Sequence, residues 1–90
     1  MSSRDAARGL VAKFCRDNHL QLLDQTVALR KISISRKRNG NLGLVRVFRF
    51  DYSENGFQRQ DGMIWMLANR PTQISVQINE QQVVEDLRTK

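Results

Sequence analysis

The side chains that could do chemistry in this chain are few, and their spacing decides what they can do. Cys15 and His19 stand four residues apart, which on a helix brings a thiol within reach of an imidazole. No third group is placed to orient the imidazole, and Cys15 falls on the apolar stripe of its segment, where a small buried residue belongs. Asp51 and Asp61 fall on neighbouring strand-like segments and can approach one another, but no cleft or acid-base partner accompanies them. There is no phosphate-cradling glycine loop, no nucleophile motif and no His/Cys/Asp set with metal-ligand spacing. The expectation is a non-enzyme with no catalytic residues, no metal and no cofactor.

What remains is charge and aromatic patterning. The segment Arg46-Val47-Phe48-Arg49-Phe50-Asp51-Tyr52 alternates aromatic rings with arginines, as a sheet that stacks RNA bases does. The same alternation describes an ordinary core strand, and the β-α-β-β-α-β order of that RNA-binding module is missing. Arg36-Lys37-Arg38 flanks a turn and can meet phosphates or headgroups, or simply be solvated. The net charge of +6 hides an imbalance: residues 1–49 carry +8 and residues 50–90 carry −2. A basic first half draws anionic partners: lipid headgroups, nucleic acid or an acidic protein face.

The elements that position these groups follow from periodicity. Residues 4–18 read as an amphipathic helix with Ala7, Leu10, Val11, Phe14 and Cys15 on one stripe. Arg4, Arg8, Lys13 and Arg16 lie off it. Ser2 or Ser3 is the expected cap, Asn18 the expected stop, and Gly9 implies close packing. Leu20–Leu23 reads as a short strand or link, and Asp24-Gln25-Thr26 as a turn. Apolar residues then alternate through Ile32 and Ile34, with a phase slip that predicts a bulge near Arg30-Lys31. Asn39-Gly40 and Asn55-Gly56 predict turns around a strand from Leu42 to Tyr52.

A further strand, from about Phe57 to Asn69, is apolar on both faces in its second half: Met63, Trp65 and Leu67 on one, Ile64, Met66 and Ala68 on the other. Such a strand is central, or is covered by a partner, so Met63, Ile64, Trp65 and Met66 are candidates for a homo-oligomer contact. Asn69-Arg70-Pro71-Thr72 predicts a turn and Gln73–Asn79 a strand. The tail, Glu80–Lys90, reads as a short helix through Val83, Val84 and Leu87, or as frayed chain. The fold class is therefore α+β in one domain over 1–90: a helix packed on a three- to four-stranded antiparallel meander through 20–79, through the Phe48/Phe50/Ile74/Val76 face.

Gln21-Leu22-Leu23-Asp24-Gln25-Thr26-Val27-Ala28-Leu29, followed by Arg46-Val47-Phe48-Arg49-Phe50, resembles a small uncharacterised bacterial family, a domain-of-unknown-function group, over roughly Arg4 to Ile78. The resemblance implies an N-terminal transmembrane helix, an Arg-rich helix and a β-rich domain, and supplies no functional residue. It implies that this chain begins where the anchor ends. Arg4, Arg8, Lys13 and Arg16 would then follow the bilayer segment and hold the domain on the cytoplasmic face of the bacterial inner membrane. The apolar run Met63–Ala68 is itself too short to span. Three readings of function follow. The leading one is a membrane-proximal interaction domain that meets anionic lipid or an unknown protein partner through Arg4, Arg8, Lys13, Arg16, Arg36, Lys37 and Arg38. Nucleic-acid binding through Arg36, Lys37, Arg38, Arg46 and Arg49 is an alternative. A pseudopilin-like or homo-oligomeric structural module is the third, although pseudopilin domains face outward, against the charge pattern.

Overall fold

The computed structural model describes residues 3–23 and 27–87. Among the described residues one helix, α1 (Ser3–Asp17), is followed by six strands: β1 (Gln21–Leu22), β2 (Ala28–Arg36), β3 (Leu42–Ser53), β4 (Gln60–Leu67), β5 (Arg70–Ile78) and β6 (Gln81–Asp86). All pairings are antiparallel, in the order β1-β3-β4-β5-β6, and β2 joins β3 on the side that β1 occupies farther along. The class is α+β with a helix on a meander, and the sheet has more strands than the sequence suggests. The molecule is elongated, 44 × 23 × 20 Å.

The apolar stripe of α1 folds down as its spacing requires. Ala7, Val11, Phe14 and Cys15 are buried, and Leu10 packs beside them. They meet Phe48, Phe50, Tyr52, Ile64, Met66, Ile74 and Val76, which the register of β3, β4 and β5 places on one face. The helix ends in a Schellman arrangement: Leu20 N–H donates to Cys15 O (2.7 Å) and His19 N–H to Arg16 O (3.3 Å), with His19 left-handed at φ 60°. The helix ends at Asp17, so Asn18 is the stop as expected; His19 supplies the left-handed residue after it, and Leu20 buries itself just beyond.

Ser3 does not cap the helix. Its hydroxyl donates to Ala68 O at 2.9 Å, tying the start of α1 to the β4–β5 turn. Ser2 and the expected turn at 24–26 lie outside the described residues. Gly9 is exposed, and nothing lies within 4 Å of where its Cβ would stand, so close packing is not its reason. Gly9→Ala therefore gains the helix-propensity difference of about 1 kcal/mol, read as a raised urea midpoint with an unchanged slope.

The bulge expected near Arg30-Lys31 is present: Leu29 pairs with Phe48 and Lys31 with Val47, leaving Arg30 as the extra residue. Gly40 turns the β2–β3 hairpin at φ 92°, with Asn39 in an ordinary conformation. Gly40 N–H donates to Lys37 O (2.9 Å) and Lys37 N–H to Asn41 O (2.6 Å), the bulged hairpin loop rather than a two-residue turn. The turn expected at 69–72 comes earlier, at Ala68-Asn69, with Ala68 left-handed at φ 55°. Pro71 lies within β5 opposite Met66, where Thr72 is an extra residue, and a bulge tolerates its missing N–H.

The expected C-terminal helix is not formed over the described tail. Asn79 (φ 54°) and Glu80 (φ 66°) make a two-residue turn with both residues left-handed, and β6 returns along β5. Val83 reaches the edge of the core from this strand, and Leu87 N–H donates to Thr72 O at 2.9 Å.

Candidate functional site

Cys15 is buried under the helix, and burial pushes its thiol up to about 11 from its usual 9.0. His19 lies past the helix end and is exposed, so the helical i,i+4 arrangement does not form. A thiol reagent at pH 8 leaves Cys15 unmodified in the folded chain and reacts with it after denaturation. The folded thiol keeps a proton that the unfolded chain releases from about pH 9.0, so its contribution to stability is full below that value and declines as pH rises towards 11.

Asp51 and Asp61 stand directly opposite each other on β3 and β4, on the sheet face away from the helix. Arg49 sits between them, 2.6 Å from Asp51 Oδ1 and 3.7 Å from Asp61 Oδ2, and Arg59 approaches Asp51 at 3.7 Å. The pair is a neutralised cross-strand network, and it engages Arg49, one of the candidate nucleic-acid contacts. Phe48 and Phe50 are both buried under α1, so neither ring can stack a base. Among the described residues no group of three His, Cys, Asp or Glu is arranged to hold a metal.

The apolar strand β4 is central, paired by β3 and β5 along its edges. Ile64 and Met66 are consumed beneath the helix, whereas Met63, Trp65 and Leu67 are half-buried on the opposite face. The four residues proposed for an oligomer contact therefore divide between the two faces.

The basic candidates are not gathered into one patch. Lys13 pairs with Asp17 at 2.8 Å, a contact that holds the Asp17 carboxyl below its usual range, and Arg16 is exposed in the last turn. Both belong to the far end of α1. Arg4 Nε donates to Val27 O at 3.2 Å, and Arg8 Nε is buried without a hydrogen-bond partner. The start of α1 is held at the β4–β5 turn, and that turn follows Leu67, the cross-strand partner of Val45. This is the end at which the β2–β3 hairpin projects. Arg36 Nη1 donates to Gly40 O at 2.7 Å, and the stem of Lys37 lies over Gly43 beside Leu67.

Two surfaces that single-residue reading missed meet at this end. On the helix-free face an open groove of about 940 Å³ has Trp65, Val45 and Leu67 in its floor and Lys37, Arg38 and Arg70 around it. On the helix side, the hairpin extends past α1 and leaves Ile32 (52%), Ile34 (68%), Leu42 (61%) and Leu44 (46%) exposed together, with Ile34 paired to Leu44. From residue 28 to residue 46 there are six Lys or Arg and no Asp or Glu. The hairpin is an amphipathic, purely cationic arm, and the signal for it was the run of alternating Ile-Ser-Ile-Ser without acid.

No described helix is long and apolar enough to cross a membrane. Residues 1–78 match the family described as "Protein of unknown function (DUF3301)". Comparisons with curated proteins and with solved structures find no match.

Proposed function

This chain belongs to the family of proteins of unknown function DUF3301, and on that premise we propose that it is a non-enzymatic, membrane-proximal interaction domain whose cationic end faces anionic lipid. One observation carries the reading: the start of α1, the β4–β5 turn and the tip of the β2–β3 hairpin lie at the same end of the sheet. An anchor helix running into α1 would leave the domain there, beside Arg36, Lys37, Arg38 and Arg70. Basic groups next to a bilayer gain about 1 kcal/mol each from anionic headgroups, and the positive-inside tendency then places the domain on the cytoplasmic face of a bacterial inner membrane.

Co-sedimentation tests this directly. The chain pellets with vesicles containing phosphatidylglycerol, stays in solution with pure phosphatidylcholine, and is released by salt. Replacing Lys37 and Arg38 by Gln weakens partitioning by about 2 kcal/mol, roughly thirtyfold. Equal binding to neutral and anionic vesicles removes the reading.

The groove favours one other reading, contact with a nucleic-acid strand, since Trp65 lies among Lys37, Arg38 and Arg70 there. Trp65 is the chain's single tryptophan, so its fluorescence reports on this site alone. Quenching by a single-stranded oligonucleotide supports the second reading, and unchanged emission at saturating oligonucleotide excludes it.

A further inference from the structure

We propose that the outer edge of β2 is a docking site for an extended acidic segment of a partner protein, which adds to the sheet as a further strand. The inference rests on reading the chain as an interaction domain and is independent of the lipid contact. β2 is an end strand: β1 and β2 share one side of β3, and no described strand pairs with the outer side of β2. All nine of its residues are exposed.

Ladder parity identifies the free groups. The hairpin closes with Lys37 N–H on Asn41 O and Gly40 N–H on Lys37 O, so Lys37 turns its backbone towards β3. Antiparallel pairs alternate between bonded and non-bonded. From the register, Ser35, Ser33 and Lys31 therefore bond to β3, and Arg36, Ile34 and Ile32 direct their N–H and C=O groups outward. The bulge at Arg30 confines the irregularity to the start of the strand and leaves residues 31–36 in regular register.

Charge selects the guest. A second copy pairing antiparallel about Ser33 would bring Arg30 against Arg36, and like charges opposed across strands are destabilising. An acidic strand meets the same cations with attraction. Side-chain alternation sets its pattern further: the guest residues on the helix side meet the exposed Ile32 and Ile34, and those on the other side meet Lys31, Ser33 and Ser35. The fitting sequence alternates aliphatic and acidic residues, with main-chain bonds supplying affinity and side chains the choice.

The probe is a fluorescein-labelled octapeptide alternating Val and Glu, read by anisotropy against the full chain, with a Val/Lys octapeptide as control. The acidic peptide binds at least tenfold more tightly than the basic one, and amide shifts concentrate at 31–36. Ile34→Pro removes one outward N–H without touching the β3 ladder and weakens binding tenfold or more. Ile34→Glu keeps the donor but sets a carboxylate against the peptide's valines and weakens binding similarly, so the inference stays testable should the proline variant misfold. Equal binding of the two peptides, no binding, shifts centred on Trp65, displacement of the peptide by a short oligonucleotide, or full binding by Ile34→Glu each overturns it. A chain that pellets with anionic vesicles but ignores the peptide loses this inference alone, and one that binds the peptide but not the vesicles loses only the lipid reading.

Discussion

Gly62→Ala destabilises the domain by about 3 kcal/mol, a fall of roughly 12–24 °C in Tm for a domain of this size. Gly62 stands directly opposite Phe50 on the core face of β4. A methyl group there would lie 2.7 Å from Phe50 Cζ, 2.8 Å from the Ser75 carbonyl oxygen and 2.9 Å from Val76 Cγ1. The ring can tilt, but the Ser75 carbonyl belongs to the β4–β5 ladder and cannot retreat without breaking it. The double variant with Phe50→Leu recovers part of the loss, which makes the coupling between the two positions measurable by chemical denaturation. An unchanged Tm for Gly62→Ala would show that the core face is looser than these distances. The same substitution at Gly9 has the opposite sign, because there the added methyl meets only solvent.

Tyr52→Phe costs about 2 kcal/mol. Tyr52 is fully buried, and its hydroxyl accepts from Gln77 N–H at 2.6 Å and donates to Gln77 O at 2.8 Å. The β4–β5 pairing runs only to Met63 and Ser75, although β4 itself continues to Gln60, so beyond it the phenol supplies the partner that Gln77 lacks from β4. Removing one oxygen leaves a backbone donor and acceptor unpaired beside the core. Glu54 extends the same arrangement by accepting from Asn79 N–H at 2.9 Å, which holds its carboxyl below the usual range. Thermal unfolding of Tyr52→Phe and amide exchange at Gln77 measure the effect; unaltered protection at Gln77 would exclude the role assigned to the hydroxyl.

Local pattern was sufficient wherever one residue's neighbours in sequence are also its neighbours in space. The stripe Ala7, Val11, Phe14 and Cys15, the bulge at Arg30 and the burial of Phe48, Phe50, Ile74 and Val76 all follow from periodicity against a single core. The turn between Asn79 and Glu80 escaped because left-handed φ at a glutamate carries no local signal. With that turn unseen, Val83, Val84 and Leu87 fit helical spacing as well as strand spacing. Packing of Val83 against the edge of the core, a tertiary gain, selected the strand, with Val83 paired to Val76 across the hairpin. Pro71 misled in the same way: it marks a corner in most sequences, and here a bulge opposite Met66 absorbs it.

By itself the sequence determined the class, the core face and the excess of cations before residue 50, since composition and period alone set these. The tertiary structure decided which cations share a surface. Arg49 is taken up by Asp51, Lys13 by Asp17, and Arg36, Lys37 and Arg38 are carried out on a hairpin beyond the reach of α1. A 15-residue helix is about 22 Å long and the molecule 44 Å, so one helix cannot cover the whole sheet. The strands left uncovered are where the apolar and cationic surface remains for others to meet.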